Sequence, residues 1–176
     1  MYSQGLQRCL RIGSFVLATL LTGCATNPIP EGYTGPLATI KDTVHSYTAT
    51  KADFFFVSQV NGKPIEDSLS ATRGRSYGRG NYMDIAVLDR QVPARAMTLT
   101  LIGRTHNAMP ISDLMGTVYQ VKGDVEVTPE PDHTYVVKGE LGENYSAVWL
   151  EDSVTGSLVG KRIEVHGSAA LGILEK

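Results

Sequence analysis

The chain has 176 residues, with 16 Lys and Arg against 18 Asp and Glu and a formal charge of −2, so it carries no global attraction to nucleic acid or anionic lipid. Its two cysteines, Cys9 and Cys24, both fall within the first 24 residues, which excludes a disulfide scaffold for everything that follows. That remainder must stand on its own core, and it has the size of one ordinary domain.

Residues 1–23 have the three parts of an export signal. Arg8 and Arg11 form a positive start with no acidic residue near, and Ile12 to Leu21 is an apolar run of ten residues. A membrane-spanning helix needs roughly 20 apolar residues, so this run is a signal helix and not a span. It ends in Leu21-Thr22-Gly23-Cys24, with small residues just ahead of the cysteine. This string resembles the lipobox of bacterial lipoproteins. The resemblance implies that Cys24 receives a diacylglycerol thioether, that 1–23 are removed, and that Cys24 becomes a fatty-acylated N-terminus. The alternative is a signal cut by the general peptidase, with Cys24 an incidental thiol. Burial contributes about 0.8 kcal/mol per CH₂, and two or more chains hold firmly where one binds reversibly. Ala25, not Asp, follows Cys24. In Gram-negative lipoproteins similar to this one, that implies transfer to the outer membrane, on its periplasmic face. Beyond Cys24 the balance is fourteen Lys and Arg against eighteen Asp and Glu, a net −4. Export and acidity together argue against a nucleic-acid partner.

Residues 24–36 read as a flexible tether. From Ala25 to Pro36 (ATNPIPEGYTGP) the chain has three prolines, two glycines and hardly any periodicity. A mixed linker of this length spans on the order of 20 Å root-mean-square and about 40 Å when extended.

From 37 to 176 the pattern has period 2. Met97, Leu99 and Leu101 alternate with Thr98, Thr100 and Ile102, and Val121, Gly123, Val125 and Val127 with Lys122, Asp124, Glu126 and Thr128. Tyr135, Val137 and Leu141 oppose Val136, Lys138 and Glu140. Ala147 and Trp149 alternate with Val148 and Leu150, and Ile163 and Val165 with Glu164 and His166. Turn chemistry separates these runs. Asn61-Gly62 suits a tight hairpin after Asp53–Val60, and Pro64 belongs at an edge or a strand start. Pro129-Glu130-Pro131-Asp132, Leu141-Gly142-Glu143-Asn144 and Asp152–Gly156 break the later strands. A helical turn is expected only within 107–119, at Ile111–Met115. Phe54-Phe55-Phe56 puts aromatics on both faces of one strand, which is then buried on both sides or exposes an apolar strip. Trp149 reads as a core filler. Repeated short strands of this kind predict a single all-β domain, an antiparallel β-sandwich or flattened barrel.

The strings Val60-Asn61-Gly62-Lys63, Val125–Tyr135 (VEVTPEPDHTY) and Trp149–Val159 (WLEDSVTGSLV) resemble a pattern in small bacterial envelope lipoproteins. The resemblance covers 60–160 and implies an immunoglobulin- or transthyretin-like sandwich. Its motifs are turn chemistry, so it carries over no catalytic residue.

The segment most suggestive of binding is Arg73–Tyr82 (RGRSYGRGNY), which places Arg73, Arg75 and Arg79 among three glycines with Tyr77 and Tyr82 interleaved. Arginine forks take phosphate or carboxylate bidentately, aromatic faces stack, and glycine admits close backbone approach. Behind an export signal, the anions in reach are lipid phosphates, lipopolysaccharide, peptidoglycan carboxylates or an acidic protein surface. The alternative is a solvated loop whose arginines pair with nearby carboxylates. Arg90, Arg95 and Arg104 form a second basic group. His45, His106, His133 and His166 lie far apart without metal-ligand spacing, so no metal is expected, and His133 reads as a turn residue. No G-x-S-x-G, S-x-x-K or H-E-x-x-H occurs. Gly156–Lys161 (GSLVGK) departs from a phosphate loop in spacing and is followed by Arg162. The expectation is a non-enzymatic interaction or assembly module docking on an envelope protein, or else a binder of an anionic envelope ligand through 73–82. No cofactor is expected beyond the diacylglycerol and N-acyl chain on Cys24. A hydrolase would need a Ser, His and Asp gathered by the fold.

Overall fold

The computed structural model describes residues 25–176; the signal segment 1–23 and Cys24, the expected lipidation site, lie outside the described residues. The elements in chain order are β1 (Leu37–Lys41), β2 (Thr43–Thr48), β3 (Lys51–Val60), β4 (Lys63–Pro64), α1 (Ser68–Ser76), β5 (Asp89–Pro93) and β6 (Met97–Asn107). They continue with α2 (Pro110–Met115), β7 (Gln120–Val127), β8 (Thr134–Glu140), β9 (Tyr145–Asp152) and β10 (Leu158–His166). One sheet has the order β10-β9-β8-β1-β5 and the other β2-β3-β6-β7, with β4 paired to β3. The pairings among the described residues are antiparallel, apart from β1 with β8, which run parallel. The two sheets pack face to face as an all-β sandwich without closing into a barrel.

Alternation decides what fills the space between them. Phe55, Val57, Leu99, Leu101, Val121 and Val125 from one sheet meet Ile40, Val92, Val137, Val148 and Leu150 from the other. Asn61 and Gly62 both take positive φ, 50° and 74°, the conformation that lets a two-residue loop match the twist of its strands. Pro64 sits on the short edge strand β4, where it has no ladder hydrogen bond to donate.

The three phenylalanines of β3 are all buried, but in two different places. Phe55 enters the inter-sheet core. Phe54 and Phe56 point to the opposite face, where they form a second cluster with Ala52, Leu69 and Met83. That face is covered by α1 and part of the chain between α1 and β5. The expectation of a strand buried on both sides holds for this reason.

Two expectations are corrected. Arg73–Tyr82 is not one loop: Arg73 and Arg75 lie in the last turn of α1. Asp67 caps this helix, its carboxylate accepting from the Ser70 amide at 2.8 Å. The helix has little apolar periodicity to announce it. It is held down by the buried Leu69 and by two buried hydroxyls, Ser68 accepting from the Leu88 amide at 2.9 Å and Thr72 from the Ala86 amide at 2.9 Å. Trp149 is likewise not in the core. Register turns Val148 and Leu150 inward and Trp149 outward, where the Arg162 guanidinium lies 4.0 Å above its ring and Glu151 accepts from Nε1 at 3.3 Å.

Asp42, between β1 and β2, stands where the chain passes from one sheet to the other. Its carboxylate accepts from the Val57 amide at 3.2 Å, from the Ser68 amide at 3.1 Å and hydroxyl at 2.7 Å, and from both terminal nitrogens of Arg90 at 2.7 and 2.5 Å.

Residues 25–36, expected as a tether, touch the domain through Thr26, Tyr33 and Pro36, whose carbonyl accepts from the Ala94 amide at 2.8 Å. The Thr26 amide and hydroxyl both donate to the Pro64 carbonyl, at 2.8 and 2.9 Å. The Tyr33 hydroxyl donates to the Pro36 carbonyl at 2.9 Å, with the Arg95 guanidinium 5.4 Å from its ring centre. Among the described residues, no helix is long and apolar enough to cross a membrane.

Candidate ligand cleft

The registers Val60↔Leu99 and Met97↔Val127 mark one end of the sandwich, and Lys51↔Asn107 marks the other. At this second end α1 runs out into the turn at Tyr77–Gly80, β6 runs out into α2, and a cleft of about 570 Å³ opens between them. Its walls include Arg73, Tyr77, His106, Ala108, Pro110 and Leu114, with Lys176 at its side. Apolar surface dominates, and a few polar groups are set into it, which is the usual build of a small-molecule site.

The expected site residues separate here. Arg73 and Tyr77 line the cleft, and Tyr77 is 92 % exposed. Arg75, Arg79 and Tyr82 do not line it. Arg79 pairs with Asp84 at 3.1 Å instead, as the solvated-loop alternative has it for that arginine. The second basic group also divides. Arg90 is buried against Asp42, Arg95 lies over Tyr33, and Arg104 comes up beside Arg73 in an adjoining hollow that also shares Lys176. Sequence reasoning alone gave no sign that Lys176 belongs here. Its ammonium donates to the carbonyls of Gly116 at 2.6 Å and Leu114 at 3.3 Å, placing a cation at the end of α2.

Asp67 and Glu175 line the same hollow as these cations. Among the described residues, Arg73, Arg104 and Lys176 make no ion pair. Arg104 donates from Nη1 to Gln120 at 2.6 Å, while its Nε is buried with no acceptor. Burial, and then the charge of Arg73, pull its pKa down, with Asp113 opposing them. Asp113 is already engaged. His106 Nδ1 lies 3.1 Å from its Oδ2, and its Oδ1 accepts from the Asn107 amide at 3.0 Å and side chain at 2.9 Å. Burial raises the Asp113 carboxyl, but these hydrogen bonds outweigh it and hold the pKa below the ordinary value. They also fix α2 on the end of β6, since no residue of α2 is itself buried.

Ser76, His106 and Asp113 share the cleft wall, the residue types of a hydrolase triad. Ser76 does not pair with His106; its Oγ accepts from the Asp84 amide at 2.9 Å. A nucleophile needs its base within hydrogen-bond reach, and this hydroxyl is directed to another task. Elsewhere the remaining histidines stand apart, His45 on Tyr47, His133 on Asp152 and His166 on Tyr145. Among the described residues no three His, Cys, Asp or Glu side chains gather as metal ligands. No family model, curated protein or solved structure matches the chain.

Proposed function

We propose that this chain is a lipid-anchored, non-enzymatic binding protein of a bacterial envelope, held at the periplasmic face of the outer membrane by acyl chains on Cys24. Its task in this reading is to bind an anionic envelope ligand in the cleft between α1 and α2. The lipobox-like Leu21–Cys24 supports the anchor. The observation that carries the binding reading is an apolar cleft with Arg73 in its wall and Arg104 in the hollow beside it, neither of them in an ion pair among the described residues, on a chain that is otherwise acidic. Such a place attracts anions although the whole molecule does not.

A second reading, docking on an envelope protein, is favoured by α2. Ile111, Leu114 and Met115 are exposed there beside the cleft, Met115 at 83 %. An apolar patch of this kind is a common protein contact.

Both readings are tested by a photo-crosslinking amino acid placed at Tyr77 in cells, with a second placed at Val154. Val154 is 86 % exposed in the β9–β10 hairpin at the opposite end. The expected result is a lipid- or glycan-bearing adduct from position 77 that disappears with Arg73→Ala and is absent from position 154. A discrete protein adduct from position 77 would replace the first reading by the second. No adduct there, or the same adduct from both positions, would sink both. Cys24→Ala, assayed by fatty-acid labelling, tests the anchor separately.

A further inference from the structure

We infer that residues 109–117, with α2 at their centre, are a lid on the cleft, latched shut by the Asp113 carboxylate. The inference rests on the ligand-binding reading above for what the lid encloses, and it adds how the cleft is entered.

Burial argues first. From Met109 to Thr117 no residue is buried, yet both ends of the segment are fixed. Ahead of it the Ala108 amide donates to the Thr50 carbonyl at 2.8 Å. Behind it Val118 is buried, and its carbonyl accepts from the Leu171 amide at 2.8 Å. The helix between these points has six residues, and isolated helices shorter than about 12–15 residues are marginal in water. A segment with so little buried apolar surface opens while the sheets stay closed.

What holds α2 down is polar and concentrated in a few atoms. Asp113 Oδ1 accepts from the Asn107 amide and side chain, and Oδ2 faces His106 Nδ1, so one carboxylate ties α2 to the last two residues of β6. At the other end of α2 the Lys176 ammonium donates to the Leu114 and Gly116 carbonyls. Among the described residues, these are the hydrogen bonds that join the segment to the rest of the molecule. Bonds to an ionised group are roughly twice as strong as neutral ones, so the latch closes the segment and, being one side chain, releases it as a unit. Gly116 completes the closed form. Its amide donates to the Ser112 carbonyl at 2.9 Å, and a Cβ at this position would lie 2.7 Å from that oxygen.

The segment also stands in the right place. Pro110, Asp113 and Leu114 are one wall of the cleft, and Arg73 and Tyr77 are another. The cleft reaches His106 and Ala108 as well, and both adjoin the second apolar cluster. Ala108 packs against it, and the His106 ring meets Phe54 edge-on at 6.3 Å. Lifting α2 removes one wall and widens the cleft toward that apolar surface. Lowering it restores the wall against whatever is bound, the usual way in which a lid shuts out water and retains a ligand.

The test follows amide exchange in the protein from Ala25 onward, with no ligand added. The Asp113 and Gly116 amides should exchange about a hundredfold or more faster than that of Leu101, yet about tenfold or more slower than in an unstructured peptide of the same sequence. Low urea should speed Leu101 and leave the α2 amides unchanged, the mark of a local opening. Asp113→Ala should lower the α2 protection about tenfold with Leu101 unaffected. Gly116→Ala should lower it too, through the Ser112 carbonyl and without touching the latch. The His106 side chain is 12 % exposed, and a soluble paramagnet should relax its ring proton faster in Asp113→Ala than in the unaltered protein. Amides of α2 as slow as Leu101 overturn the inference. Amides with no protection at all do so as well, since there is then no closed state, and so does protection that survives Asp113→Ala. A rigid α2 together with an adduct from position 77 discards the lid and keeps the binding reading. An α2 that opens alone, with no adduct there, keeps the movement and discards the binding reading.

Discussion

His133 shows how one exposed side chain ties a turn together. Its Nδ1 lies 3.0 Å from Asp152 Oδ2, and its Nε2 lies 3.4 Å from Glu130. The same aspartate, through Oδ1, accepts from the Val154 and Thr155 amides, closing the β9–β10 loop. The Asp152 hydrogen bond raises the His133 pKa; the Thr155 amide, followed by His133, depresses that of Asp152. Folded His133 thus holds its proton more tightly than the unfolded chain does. Its contribution is complete below the ordinary histidine value of about 6.5 and is lost as pH climbs through the raised one. The Asp152 contribution is complete above the ordinary value of about 3.9 and is lost as pH falls below it. Both are present between these limits. The His133 side chain is 42 % exposed, so water screens the pair and the effect is small. Urea midpoints measured from pH 5 to 8.5 should fall more steeply above pH 6.5 in the native chain than in His133→Gln. Parallel curves would show that the pair contributes nothing.

At the level of the element, β3 explains most of the architecture. Phe55 packs where Gly103 of β6 and Gly139 of β8 leave room, one glycine from each sheet. A Cβ at Gly139 would run into the Phe55 ring and lie 2.5 Å from the Ala147 carbonyl oxygen. Backbone cannot yield as a long side chain can, so Gly139→Ala should lower stability by about 1–3 kcal/mol, read from urea unfolding. An unchanged midpoint would mean that the sheets separate easily. The strands were legible in the sequence because each alternates or carries its turn: Met97–Leu101, Val121–Val127 and the Asn61-Gly62 hairpin all appear as read. The short α2 announced itself in the same way. Helix α1 did not, because its buried contacts are Ser68, Leu69 and Thr72, and two hydroxyls leave no hydrophobic period. Trp149 was legible as a strand residue and misplaced in face, since Ala147 and Val148 are both buried and alternation alone does not say which side is in. The cleft was half legible: Arg73 and Tyr77 were visible by composition. Arg104 joins them only because β6 runs beside the helix, a pairing across 31 positions that no local pattern contains.

For the molecule as a whole, Asp42 is the joint. It touches β3 in one sheet, Arg90 of β5 in the other, and the first residue of α1. Its side chain is fully buried and that of Arg90 is 8 % exposed. Removing one partner of a buried ion pair costs about 3–5 kcal/mol, because the other charge is stranded. Asp42→Ala should therefore lose roughly that much of the unfolding free energy, with both sheets and α1 loosening together in hydrogen exchange. A loss under about 1 kcal/mol, the range of an exposed pair, would show that solvent reaches the joint. No disulfide can share this load, since residues 25–176 contain no cysteine.

The bond between Thr26 and Pro64 fixes a height. Thr26 follows Cys24 by two residues, a reach of about 7 Å, and it is fastened at the Val60 end of β3. From Val60 to Ala52 the strand advances eight residues, about 26 Å at 3.3 Å each. For a domain hung on an acylated Cys24, the Pro64 hairpin is then the floor and the cleft is the ceiling. In that anchored arrangement the cleft lies farther from the leaflet than the hairpin does. Positions 77 and 154 sample those two storeys, and in the anchored arrangement a ligand of the cleft is taken at the upper one.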